Sequence, residues 1–241
     1  MKTKQSHCYL CLAASSQFLC LNCRQQIAWV EQPSCRRCGI EAFQTDSQNS
    51  EEYCDSCRDI IKLSGFEKFC ITRNYPLAYY HGLFAELLQW YKFSKELALG
   101  KYFSSLLQQV YLARFSGYFV VPVPPRESKL KQEAWDQVGY LCRKPLPVLR
   151  LLQRKAGIQQ KYLNRKGRLE QLRAQPGYYL NLDARRLAWK HYRKQGPLHL
   201  LLLYDVYTTG TTMDMCRRAL RPLEREGWIA EIRSLSLCLV I

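Results

Sequence analysis

Eight cysteines fall into four CxxC pairs near the start of the chain: Cys8/Cys11, Cys20/Cys23, Cys35/Cys38 and Cys54/Cys57. A CxxC turn sets two thiolates at chelating distance, and two such knuckles complete a sulfur tetrahedron around zinc. One CxxC alone is equally a redox motif; four within fifty residues point to metal. Gly39, directly after Cys38, suits the φ > 0 turn of a knuckle. The simplest pairing is successive, with Cys8, Cys11, Cys20 and Cys23 around one ion and Cys35, Cys38, Cys54 and Cys57 around another. A cross-braced scheme uses the same ligands differently. Either way the one or two zinc ions have no open coordination position, so they are structural. His7 adjoins the first knuckle and is not needed as a ligand. Phe18, Leu19, Ile27, Trp29, Val30 and Phe43 are about all the apolar material here, too little to fold without metal. Residues 1–62 therefore read as a zinc-ribbon domain, with a polar loop tip at Glu41–Glu52, and residues 63–241 as a second domain.

The second constraint is the stretch His199–Leu220, HLLLLYDVYTTGTTMDMCRRAL. Its apolar run Leu200–Tyr204 is too short for a free-standing helix and reads as a buried parallel strand. Asp205 follows, then Thr208, Thr209, Gly210, Thr211 and Thr212, then apolar residues at helical spacing: Met213, Cys216, Ala219, Leu220 and Leu223. A strand, a small-residue turn and a helix N-terminus form an anion seat, because turn amides and the positive helix end converge and the hydroxyls add donors. Neither GxxxxGK[ST] nor GxGxxG is present in this loop, so the Walker and Rossmann mechanisms do not apply. The plainer alternative is a strand-to-helix turn capped by threonine.

The rest of the chain supplies an α/β domain. Phe69–Tyr80 reads as extended, Gly82–Trp90 and Glu96–Phe115 as amphipathic helices, and Tyr118–Pro124 as a second short buried strand ended by prolines. Residues 130–152 look helical until Pro145 and Pro147, and Trp228–Ile241 reads as a closing strand. Ligands of open parallel sheets sit at the carboxyl ends of strands, so the loop after Pro124, with Arg126 and Lys129, is expected to share a crevice with the threonine loop. Cys70, Cys142, Cys216 and Cys238 stand in apolar or helical contexts and read as buried packing.

The formal net charge is +16, which points to a polyanionic partner, nucleic acid or phosphorylated small molecule. The densest basic stretch, Leu151–Arg173, carries Arg154, Lys155, Lys161, Arg165, Lys166, Arg168 and Arg173 around Tyr162, a pattern suited to phosphate contacts with a stacking ring; its plain alternative is a solvated helix face. A second cluster, Arg185–Lys194, holds Trp189 and Tyr192. No apolar run approaches the roughly 18 residues of a membrane span, and the start, MKTKQSHCYLC, has charge without an apolar core. The expected location is cytoplasmic, where cysteines serve metal before disulfides.

These pieces together resemble the ComF/GntX family of bacterial competence proteins over nearly the whole chain. The resemblance is carried by the paired knuckles, Tyr91-Lys92-Phe93 after a helix, Val121-Pro122-Val123-Pro124 on a strand, Gln160, Leu163, Arg168 and Leu169, and Leu203–Thr212. The last is similar to the phosphoribosyl-pyrophosphate motif of type I phosphoribosyltransferases. The resemblance implies a type I phosphoribosyltransferase-like parallel sheet flanked by helices and preceded by a zinc ribbon. In it Asp205 would hold ribose hydroxyls, Thr208–Thr212 the 5′-phosphate, and Arg126, Lys129, Arg154, Lys155, Lys166 and Arg168 pyrophosphate or nucleic acid. It further implies a role in uptake or processing of incoming single-stranded DNA during natural transformation. The partners would be a competence helicase and other transformation proteins, at the inner face of the membrane and without an integral membrane segment. Two readings stand beside it: an active phosphoribosyltransferase using phosphoribosyl pyrophosphate and magnesium, and a zinc-ribbon adaptor for the helicase. The chain departs from the family pattern at Tyr204, where a first acid is expected, and at Glu133, where an arginine is expected. No general base or nucleobase pocket is legible, so no catalytic residue is assigned.

Overall fold

The structure is a computed structural model that describes residues 7–41, 53–64, 72–125, 130, 135–154 and 177–241. Cys70, Arg126, Lys129, Glu133, Lys155, Lys166, Arg168 and the remainder of the basic stretch up to Arg173 lie outside the described residues, as does most of the Glu41–Glu52 loop.

The described elements run α1 (Leu21–Gln25), α2 (Asp55–Ser64), β1 (Arg73–Tyr79), α3 (Gly82–Phe93), α4 (Leu97–Arg114), β2 (Phe119–Pro122), α5 (Gln137–Leu141), β3 (Leu152–Arg154), β4 (Tyr178–Leu180), α6 (Leu182–Gln195), β5 (Leu198–Tyr207), α7 (Thr211–Arg225) and β6 (Ile229–Leu239). Four strands form one parallel sheet in the order β1-β6-β5-β2, and β3 pairs antiparallel with β4 in a separate ribbon. The α/β class and the parallel sheet flanked by helices agree with the sequence reading.

Strand β5 shows why its run is apolar on consecutive positions. Side chains alternate across a sheet, so a strand covered on both faces is hydrophobic throughout. Leu201 and Leu203 join Phe84, Leu87, Tyr91 and Phe103 of α3 and α4 on one face, while Leu200 and Leu202 join Met213, Cys216 and Leu220 of α7 on the other. The helices follow their apolar stripes. Helix α3 buries Phe84, Leu87, Leu88 and Tyr91, at the i, i+3, i+4, i+7 spacing of one face. Glu96 caps α4 by accepting from the Ala98 N–H at 3.1 Å, and Asn181 caps α6 by accepting from Asp183 and Ala184.

Two expectations are corrected. Residues 130–152 are not one helix up to the prolines. Among the described residues Leu130 and Gln137–Leu141 are helical, the chain leaves the helix at Cys142, before the prolines, and Pro147–Leu149 runs extended along β2, where the Val120 N–H donates to Pro147 O and the Leu149 N–H to Val120 O. Leu146 and Leu149 are buried from this edge segment, where prolines are tolerated. Cys142 is half-buried rather than buried, its thiol 3.5 Å from Val138 O; Cys216 and Cys238 are buried as expected.

The cysteine-rich segment wraps the free edge of the sheet. Its residues Ala28–Val30 lie antiparallel against β1, with the Val30 N–H donating to Leu77 O at 2.9 Å and the Tyr79 N–H to Ala28 O at 2.8 Å. Cys8, Leu19, Cys23 and Ile27 belong to the core on the α3/α4 face, and Cys35, Cys38, Cys54 and Cys57 to the core on the α7 face. The segment thus straddles the sheet, one knuckle pair on each side.

Candidate functional site

The two cysteine groups are the successive ones. Sγ atoms of Cys8, Cys11, Cys20 and Cys23 lie within 4.8 Å of one another, as do those of Cys35, Cys38, Cys54 and Cys57. A tetrahedron with Zn–S bonds of about 2.3 Å has edges of about 3.8 Å, and the Cys11–Cys20 and Cys38–Cys54 sulfurs stand 3.5 and 3.7 Å apart. Backbone amides face the sulfurs, Cys20 N–H to Cys8 Sγ at 3.3 Å, Cys54 N–H to Cys35 Sγ at 3.4 Å and Ile40 N–H to Cys38 Sγ at 3.5 Å. Burial opposes ionisation of Cys8, yet donors from Cys20, Cys11 and Leu10 outweigh it and bring the thiol down to about 6. Four clustered thiols with amide donors fit structural zinc at both positions. His7 bridges to Ala14 and belongs to neither group.

Around the second knuckle the fold is unusually tight. Gly39 has φ +81°, and a Cβ there would stand 2.4 Å from Pro76 Cδ and 2.8 Å from Asn74 O. Only glycine lets the knuckle seat on β1. Asn74 fastens it from below: its side-chain amide donates to Cys38 O at 3.1 Å and to Ser236 Oγ at 3.0 Å, and its N–H donates to Arg37 O.

The threonine loop lies at the carboxyl edge of the sheet. Strand β5 continues to Tyr207, past the expected end at Tyr204, so Asp205 sits inside the strand's last turn of pairing. Thr208 is exposed, Thr209, Thr211 and Thr212 are half-buried, and Gly210 is the N-cap of α7 at φ 73°. The hydroxyls of Thr209 and Thr211 lie 2.7 Å apart. The 15-residue helix behind this turn directs its positive end at the loop. Next to it β2 ends in register, with Val123 N–H donating to Leu203 O at 3.0 Å, so Pro124 and Pro125 leave from the same edge.

Among the described residues Lys92 and Arg154 bring positive charge to this edge. Lys92 Nζ, at the end of α3, lies 2.6 Å from Asp205 Oδ2, with both side chains largely buried. Its position is fixed by Tyr91, whose hydroxyl donates to Gln137 O at 2.6 Å, and by Gln137, whose amide donates to Lys92 O. Arg154 stacks its guanidinium 5.0 Å from the centre of the Tyr178 ring and acts electrostatically on Tyr204. Tyr204 itself is held by burial well above its ordinary pKa, next to the Asp205 charge, and it shares a hydrogen bond with Thr212. It is a neutral phenol beside the Asp205 carboxylate.

Behind the loop stands Arg37, the side chain between Cys35 and Cys38 that the sequence did not single out. It is 1% exposed. Its Nη1 donates to Thr209 O at 2.6 Å and its Nη2 to Asp214 Oδ2 at 2.5 Å, and the buried Tyr207 hydroxyl donates to Arg37 O at 3.3 Å. Burial opposes the charge on Arg37, but Tyr207 and Asp214 more than offset it and the guanidinium stays ionised. Nothing in the sequence announced this contact, because the middle residues of a knuckle are ordinarily solvent-facing. Thus the structure brings Asp205, Thr208–Thr212, Arg154 and the second cysteine group to one region, and adds Lys92, Arg37, Tyr207 and Asp214.

Residues 5–61 match the family model of the double zinc ribbon domain. No curated protein matches the chain. Among the described residues no helix is long and apolar enough to cross a membrane.

Proposed function

We propose that this chain is a ComF-like competence protein: a type I phosphoribosyltransferase-like domain, clamped by a double zinc ribbon, that binds phosphate at the Thr208–Thr212 loop while assisting the uptake or processing of incoming single-stranded DNA. The observation that carries the reading is the arrangement at Gly210. A left-handed glycine opens α7, threonine hydroxyls surround it, and the loop occupies the carboxyl edge of a parallel sheet. Such an edge is where α/β sheets bind ligands, and helix N-terminal amides with hydroxyl donors suit a phosphate monoester or a nucleic-acid phosphate.

The same region argues for binding over turnover. A ribose-gripping site needs free carboxylate oxygens, and Asp205 spends one on Lys92 at 2.6 Å and the other on the Val206 N–H at 2.7 Å. Tyr204 adds no charge. Magnesium, if delivered with phosphoribosyl pyrophosphate, would be held mainly by the ligand's own phosphates. Net charge of +16 favours nucleic acid as the larger partner, with a competence helicase and other transformation proteins alongside it.

Calorimetry with phosphoribosyl pyrophosphate plus magnesium tests the loop, and titration with a fluorescent single-stranded oligonucleotide at low and moderate salt tests the polyanion role. Saturable donor binding without product formation, and oligonucleotide affinity that falls steeply with salt, are expected. No donor binding, together with a salt-independent oligonucleotide affinity, defeats the reading.

A further inference from the structure

The second knuckle does more than fold the ribbon: the geometry points to Arg37 as a positioning residue that couples zinc at Cys35, Cys38, Cys54 and Cys57 to the anion affinity of the Thr208–Thr212 loop. This inference rests on the reading of that loop as an anion seat.

The chain of contacts is short. Cys35 and Cys38 flank the turn that carries Arg37, and that turn is closed by Gly39 N–H donating to Cys35 O at 3.0 Å. From it the guanidinium reaches Thr209 O and Asp214 Oδ2, one contact on each side of Gly210. The Thr209 carbonyl is drawn back onto the knuckle. Across a planar trans peptide the following N–H points the opposite way, so the Gly210 amide is turned away from Arg37. The Asp214 contact holds the first turn of α7, whose opening bond is Asp214 N–H to Gly210 O at 3.0 Å. The back of the loop is filled as well. A Cβ at residue 210 would lie 2.1 Å from Tyr207 Oη and 3.1 Å from Arg37 Nη2.

The loop is therefore preorganised by a side chain whose own position depends on a metal-closed turn, and the first cysteine group, on the opposite face of the sheet, makes no such contact among the described residues. An anion that needs the ordered loop and a zinc ion that orders it must each raise the other's affinity by the same factor.

The test uses the full zinc-loaded chain. Arg37→Met alone would leave Asp214 a buried unpaired charge and unfold part of the protein. The informative variant is Arg37→Met with Asp214→Asn, which removes both charges and leaves an acceptor for the backbone hydrogen bond from Thr72. It should keep both zinc ions, bind inorganic phosphate at least about tenfold more weakly, and show faster amide exchange at residues 209–213. Phosphate affinity and exchange equal to wild type would overturn the role of Arg37. Competitive zinc titration of the wild-type chain needs no variant: saturating phosphate should tighten one zinc site by at least about fivefold and leave the other unmoved. Phosphate that binds without shifting either zinc affinity defeats the coupling and spares the proposed function. Failure of the wild-type chain to bind phosphate or phosphoribosyl pyrophosphate defeats the proposed function instead, and the exchange rates of the double variant then decide whether Arg37 orders the loop.

Discussion

Lys92 and Asp205, far apart in the chain, meet at 2.6 Å where α3 ends and β5 closes on the threonine loop. The pair neutralises a carboxylate set into a buried strand.

Removing the lysine should therefore be costly. Lys92→Met leaves Asp205 largely buried without its cation, and an expected loss of about 2 to 3 kcal/mol follows from an orphaned, mostly desolvated charge. Asp205→Asn, which leaves the cation with more access to water, should cost less. Urea denaturation of the two variants beside wild type checks the order; Lys92→Met unfolding at the wild-type midpoint would contradict it.

Gly210 has no tolerated substitute. Gly210→Ala combines the left-handed φ of 73° with a Cβ overlapping Tyr207 Oη, a combined strain of about 3 kcal/mol or more. Adding Tyr207→Phe removes the hydroxyl, but the ring carbon Cζ still lies 2.6 Å from that Cβ, so thermal unfolding should show partial rescue at most.

The pH profile of stability should carry the signature of Tyr118 and Glu231, whose side chains are hydrogen-bonded to each other. Burial, then the neighbouring carboxylate, pushes the Tyr118 phenol up to about 12, so its contribution is complete below its ordinary value near 10 and is lost as pH rises through 12. Burial works against ionisation of Glu231, but bonds from Tyr118 and Arg233 prevail and lower its pKa. Its contribution is present above the ordinary carboxylate value and is lost as pH falls through the depressed one. Glu231→Gln should flatten both limbs of a urea-midpoint-against-pH curve. Limbs as steep as in wild type would show that other groups set them.

Chelation should reach beyond the ribbon. A separate appendage of residues 1–62 would unfold and spare the remainder, but Ala28–Val30 pairs with β1 and Arg37 holds Thr209. Zinc removal is expected to lower the melting temperature of the α/β domain and to accelerate exchange in both β1 and the 208–213 loop. Unchanged protection in those segments after both ions are stripped would refute it.

What the sequence revealed here followed from local rules. CxxC spacing is set by metal geometry, so both ligand groups could be read from it, and five apolar residues before a small-residue turn identified β5 and α7. The strand was read short because an acid at position 205 looks like an end. The partner of Asp205, Lys92, lies in helix α3, and no local pattern reveals that a buried carboxylate is neutralised from there. The helix read over residues 130–152 failed for the complementary reason: apolar residues near prolines fit a helix and an extended edge equally, and pairing of Pro147 and Leu149 with Val120 decided. Arg37 was invisible because its burial is created by how the ribbon wraps the sheet.

That wrapping has a consequence for a cell short of metal. Ala28–Val30 occupies the hydrogen-bonding edge of β1, as Pro147–Leu149 does along β2. Without zinc the knuckles no longer brace the first of these covers, and where it loosens β1 would present open amides and carbonyls together with Leu77 and Tyr79. A zinc-starved chain would then be open to strand-on-strand self-association along that edge.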